Sequence, residues 1–136
     1  MSVKIVLIDG QGGRLGQQLA EAITAAALPC ELLAVGTNSV ATAAMLKGGA
    51  RQGATGENPV LVACRDADVI VGPIGILSAD SLLGEITPAM AVAVGQSKAL
   101  KLLLPVGRCN NQVVGVGQYS MSELVKETVE RLKALC

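Results

Sequence analysis

Asp9 heads a glycine-spaced run, Gly10-Gln11-Gly12-Gly13-Arg14-Leu15-Gly16, and these residues are the ones best placed to do chemistry. Gly10, Gly13 and Gly16 recur at intervals of three, with Gly12 as a further permissive position. An apolar stretch of strand length, residues 3–8, precedes the run, and an amphipathic helical pattern follows it. A strand, a glycine turn and a helix start in succession make an anion site, because free backbone N–H groups and the helix dipole point at one spot. In such a turn Gly10 takes the tight bend, Gly13 lets a phosphate approach the backbone, and Gly16 lets the helix pack on the sheet. The alternative is a bare structural turn.

Asp9 is the candidate catalytic residue. A carboxylate beside a pyrophosphate needs a cation, a proton or backbone donors to compensate it, and Arg14 and Arg108 are the nearest cations by this reading. Asp9 can serve as a general acid/base or a magnesium ligand, or it can tie down the glycine loop by accepting its N–H groups. The acidic residue that an NAD site carries at the end of its second strand is missing, since Gly36-Thr37-Asn38 stand there. Thr37 or Asn38 can bond a ribose hydroxyl, cradle a second phosphate, or cap the next helix.

The elements that position these residues follow from pattern and punctuation. Leu15, Leu19, Ala22, Ile23 and Ala26 mark a first helix that Pro29 stops, and residues 32–35 make the second strand. A helix opened at residues 36–39 buries Ala41, Ala44, Met45 and Leu46, and residues 51–58 form a glycine-bearing loop. Pro59 opens a short helix over residues 60–65 as its first residue, and residues 68–72 are the third strand. A long loop then runs from Gly72-Pro73-Ile74-Gly75 to Thr87-Pro88, an N-cap and first-turn pair for a helix over residues 89–94. Residues 100–104 are the fourth strand. Residues 112–116 are expected as a fifth, reached by a connection so short that the pair must be antiparallel. Ser120-Met121-Ser122-Glu123 is a capping box for a last helix burying Met121, Leu124, Val125, Val129, Leu132 and Leu135, with Glu127 and Arg131 paired outside.

These elements predict a single α/β domain over residues 1–136. It is a three-layer, Rossmann-like sandwich with a mostly parallel five-stranded sheet, in the flavodoxin-like order 2-1-3-4-5 with an antiparallel edge strand. Ligands of such sheets bind beyond the carboxyl ends of the strands. That edge gathers Gly10, Gln11, Gly12, Gly13, Arg14, Leu15, Gly16, Thr37, Asn38, Gly72 and Pro73 as the cofactor-binding set. The same rule puts Arg65, Asp66 and Asp68 on the opposite edge and excludes Tyr119. Asp80, Glu85, Ser78 and Ser81 can line a pocket or an interface. The apolar residues among them (Ile74, Ile76, Leu77, Leu82 and Leu83) favour contact with a second subunit, so a homodimer is expected.

Composition removes other classes. There is no Phe, Trp or His, and Lys plus Arg equal Asp plus Glu at 11 each, so stacking aromatics and a basic patch for nucleic acid are lacking. Cys30, Cys64, Cys109 and Cys136 share no metal-ligand spacing and read as thiols of a reducing cytosol, so no metal site is expected. No signal peptide or membrane span is expected, and the protein reads as cytoplasmic.

Six stretches together resemble a bacterial family defined only as a domain of unknown function: Ile8-Asp9-Gly10-Gln11-Gly12-Gly13, Gly36-Thr37-Asn38, residues 41–47, residues 53–58, residues 72–77 and residues 84–88. The resemblance covers nearly the whole chain and implies a Rossmann-like domain. Members tend to carry glycine where Arg14 stands here. A looser, local likeness links residues 10–16 to the glycine turn of dihydrodipicolinate reductase, which implies NAD(P)H, although that enzyme has a second, substrate domain. The Gly36-Thr37 helix start also looks like the phosphate site of methylglyoxal synthase, whose histidine is absent here. The leading expectation is nucleotide or dinucleotide binding, NAD(P)-like, with no complete catalytic site. The alternatives are a lyase or isomerase of a small phosphorylated metabolite using Asp9, with Arg14 or Arg108 on the phosphate, and a non-catalytic oligomeric interaction module.

Overall fold

β1 (Val3–Asp9) is the centre of the molecule, and its alternating side chains define two cores. Ile5 and Leu7 face one layer, where they are buried with Leu15, Leu19, Ala41, Met45 and Leu132, while Val6 and Ile8 face the other with Val60, Ile76, Met90 and Val94. A strand covered on both faces reads as a continuous apolar run, which is why residues 3–8 carry so clear a signal. The computed structural model describes residues 2–107 and 110–136.

From β1 the chain continues through α1 (Arg14–Ala25), β2 (Cys30–Gly36), α2 (Ser39–Lys47), β3 (Gln52–Thr55), α3 (Glu57–Ala63) and β4 (Val69–Pro73). A 3₁₀ turn at Ile74–Leu77 is followed by α4 (Pro88–Gln96), β5 (Leu100–Leu104) and α5 (Met121–Leu135). The sheet order is β3-β2-β1-β4-β5, and every pair is parallel. Helices α1, α2 and α5 pack on one face, α3 and α4 on the other. This is an α/β, three-layer sandwich in the Rossmann strand order, with the reversal of order between β1 and β4.

The antiparallel edge strand expected at residues 112–116 is not present. The Val116 N–H closes a turn onto the Val113 carbonyl, Gly115 takes φ 89°, and Val114 is 98% exposed, so the apolar run breaks before it can pair. The fifth strand lies at the opposite edge instead. β3, inside the stretch expected as a loop, pairs Leu33 with Gln52 through Gly36 with Thr55. The relative order of the other four strands is as expected, and the parallel strand beyond β2 turns the flavodoxin-like order into the Rossmann one. Gly53 admits α2 over this edge, since a Cβ there would meet Leu46 and Thr42 at 3.0 Å.

Two helices differ in detail. α3 begins at Glu57, with Pro59 inside the first turn rather than at its head. First-turn N–H groups have no partner within the helix, so the proline is tolerated there. In α2 the inward residues are Ala41, Thr42 and Met45, while Leu46 is exposed and covers β3; Leu135 at the end of α5 is also exposed. No helix among the described residues is long and apolar enough to cross a membrane.

Candidate functional site

The glycine turn is built on Asp9. Its carboxylate lies under the turn, with Oδ1 accepting the Gly10 N–H at 2.8 Å and Oδ2 accepting the Gly16 N–H at 2.7 Å. The turn closes when the Gly13 N–H reaches the Gly10 carbonyl at 2.9 Å, and α1 starts with the Gln17 N–H on the Gly13 carbonyl at 2.8 Å. This leaves the N–H groups of Arg14 and Leu15, at the first two positions of α1, without a protein partner among the described residues. Such N–H groups at a helix start attract an anion.

The glycines serve different ends. Gly13 takes φ 71°, and a Cβ there would sit 2.7 Å from the Ala41 Cα; a Cβ on Gly16 would sit 2.7 Å from the Met45 thioether. Both are glycine so that α2 can pack against the turn. At Gly12 a Cβ would meet nothing within 4 Å. The open approach expected at Gly13 is therefore at Gly12. Leu15 is buried in the core and offers only its N–H, whereas the Arg14 side chain is exposed and makes no ion pair among the described residues.

At the other end of the turn, Thr37 and Asn38 meet an unexpected partner. Glu85 Oε1 accepts the Gln11 N–H at 2.9 Å, the Thr37 hydroxyl at 2.6 Å and the Asn38 amide at 2.8 Å. The Asn38 amide also donates to the Gln11 carbonyl at 2.9 Å, while its oxygen caps α2 by accepting the Ala41 N–H. Gly10 is a glycine because of this cluster: a Cβ would lie 2.5 Å from Thr37 Oγ1 and 2.9 Å from Glu85 Oε1. By sequence, Glu85 is only one of several loop residues able to line a pocket or an interface. Nothing local ties it to Gln11, which lies 74 residues away. The one available hint is the missing acid after β2.

The two carboxylates differ in proton affinity. Burial pushes Asp9 up, against the backbone hydrogen bonds from Gly16 and Gly10, and the Glu85 charge adds to the rise. Burial also acts to raise Glu85, but the hydrogen bonds from Thr37, Gln11 and Asn38 together outweigh it and hold its value below the ordinary one. Glu85 is therefore ionised at neutral pH.

Gly72 and Pro73 end β4 beside the turn but are buried; a Cβ on Gly72 would strike the Ile8 carbonyl, so this glycine serves strand packing. Ser81 is buried and donates to the Gly75 carbonyl, and Asp80 is exposed. Of the loop residues expected at an interface, Ile76 and Leu82 are in the core and Leu83 is 95% exposed. Asp66 and Asp68 bond Lys4 at the amino ends of β1 and β4, on the edge away from the turn. Arg108 and Cys109 lie outside the described residues. Among those described, no cluster of His, Cys, Asp and Glu could hold a metal ion. A groove of about 800 Å³ between β5 and α5, which Tyr119 helps line, includes none of the turn's residues.

Among solved structures, the chain is similar to a nucleoside-diphosphate-sugar epimerase from Pseudomonas aeruginosa, at 15% identity and a TM-score of 0.47. The likeness covers 97% of this chain and 47% of that one, so the chain spans about half the length of that structure. A search of curated proteins finds no match. A family model matches residues 4–136, and the chain belongs to the family described as a domain of unknown function, DUF3842.

Proposed function

We propose that this chain binds a nucleotide or dinucleotide of the NAD(P) type at the turn 10–16. The observation that carries this reading is the opening at Gly12 beside the unpaired N–H groups of Arg14 and Leu15. It lies at the carboxyl edge of a parallel sheet, next to the reversal of strand order where such sheets hold ligands. A pyrophosphate fits this end of the turn: the approach is free, the backbone donates, and Arg14 is exposed close by in sequence. It does not fit the Gly10 end, which Thr37 and Glu85 fill.

Asp9 acts in this reading as the strut of the turn. Both of its oxygens already accept backbone N–H groups and the residue is buried, which argues against its use as an acid, a base or a magnesium ligand. We take the site of action to be the cytoplasm and the protein to be a homodimer, with the exposed Leu83 side chain at the contact. Light scattering on wild type and Leu83→Ser tests the dimer, and a monomeric wild type removes it. Isothermal titration with NAD(H), NADP(H), FAD, ATP and AMP tests the function. Binding by at least one is expected, and silence from all of them at millimolar concentration removes the reading.

A further inference from the structure

Glu85 hydrogen-bonds the two residues that follow β2, the strand at whose end a dinucleotide site carries its acid, although it comes from a different part of the chain. In the Rossmann arrangement an acidic residue at the end of the second strand accepts the ribose hydroxyls. Here that strand ends in Gly36 and is followed by Thr37 and Asn38, and both of those side chains grip Glu85 from the segment after β4. We infer that Glu85 determines specificity at this site: its carboxylate accepts a ribose 2′,3′-diol and turns away a ribose that carries a 2′-phosphate. This inference rests on the nucleotide reading above.

Three observations carry it beyond position. All three donors converge on Oε1, and Oε2 accepts no hydrogen bond among the described residues, so one acceptor oxygen is left on a partly exposed side chain. Glu85 also forms no ion pair among those residues, so its charge opposes a second anion brought to Thr37 and Asn38. The arm that carries it is closed by its own backbone hydrogen bonds. The Asp80 N–H bonds the Ile86 carbonyl at 2.7 Å, the Ile86 N–H returns to Ser81 at 3.2 Å, and the Glu85 N–H bonds Leu82 at 3.1 Å. Ile86 is sunk in the core, and Asp80, Leu82, Leu83 and Gly84 all take positive φ in a tightly wound loop. Glu85 is thus tied to the turn by the backbone bonds of its own loop as well as by the three donors on Oε1.

The test is calorimetry with two matched pairs, NADH against NADPH and AMP against adenosine 2′,5′-bisphosphate, on wild type and Glu85→Gln. The variant keeps an acceptor oxygen for the three donors and loses the charge. Wild type is expected to favour the 2′-hydroxyl member of each pair by about tenfold or more, and Glu85→Gln to bring each ratio to within about threefold. Equal affinities in wild type overturn the inference and leave nucleotide binding standing. A ratio that the variant does not change overturns it too. So does a uniform tightening of all four ligands, which would mark Glu85 as an internal plug. No binding of any ligand to wild type overturns the nucleotide reading itself. Should the variant fail to fold, the wild-type ratios decide.

Discussion

Asp9 and Glu85 are carboxylates that hold one turn from opposite ends, yet their surroundings drive their proton affinities apart, and the difference is measurable as stability. The folded value of Asp9 is raised. Its contribution is therefore complete below the ordinary 3.8 and is lost as pH rises through the folded value. For Glu85 the folded value is lowered, so its contribution is present above the ordinary 4.5 and is lost as pH falls through the folded value. Urea midpoints taken from pH 3 to pH 7 (a range of about four units around these values) separate the two. Glu85→Gln should remove the loss on acidification. Asp9→Asn should remove the loss on the rise, and add a constant deficit of about 1–3 kcal/mol, because an amide offers one acceptor oxygen to two buried N–H groups. The glycines divide in a similar way. Gly13→Ala must adopt φ 71° and press on the Ala41 backbone, so a loss of about 1–3 kcal/mol is expected, while Gly12→Ala enters open space and should leave the denaturation curve unchanged.

Elements whose signals are local were legible, and those set by neighbours were not. The cap at Thr87 with Pro88 in first place, the cap at Asn38 and the capping box at Ser120 and Glu123 all stand as the residues spell them. Each is a contact between residues three apart, which the sequence writes out in full. In α5 the Ser120 hydroxyl accepts the Glu123 N–H at 3.1 Å and the Glu123 carboxylate accepts the Ser120 N–H at 2.9 Å. Ser120→Ala should therefore cost about 1 kcal/mol in chemical denaturation, and a change below a few tenths would remove the box from the stability of α5. β3 shows the opposite case. Gln-Gly-Ala-Thr has no strand pattern of its own, and it becomes a strand because β2 leaves an edge open and α2 can cover Gly53. The Val-Val-Gly-Val stretch at 113–116 has the pattern but no partner, and its glycine turns the chain aside.

Across the whole molecule, the strand order sets the turn after β1 between the loops that follow β2 and β4, and the candidate site follows from that placement. The glycine spacing locates the turn, and the parallel sheet locates the edge on which it lies. The tie through Glu85 was hidden because it joins residues 74 apart in sequence, and only the fold brings them within a hydrogen bond. A ligand at the Gly12 opening would bind only the folded chain, in which the loops after β1, β2 and β4 are joined, so its binding energy must appear as global stability. At a hundredfold excess over its dissociation constant a ligand adds about 2.7 kcal/mol. For a chain of this size each kcal/mol raises the melting temperature by about 2–4 °C or slightly more, so a saturating nucleotide should raise it by about 5–10 °C. Gly12→Ala makes this decisive. It should melt with the wild type when no ligand is added, and show less than half of the wild-type rise when the same ligand is supplied. A full rise in Gly12→Ala would mean that the ligand binds away from the turn, whatever its affinity.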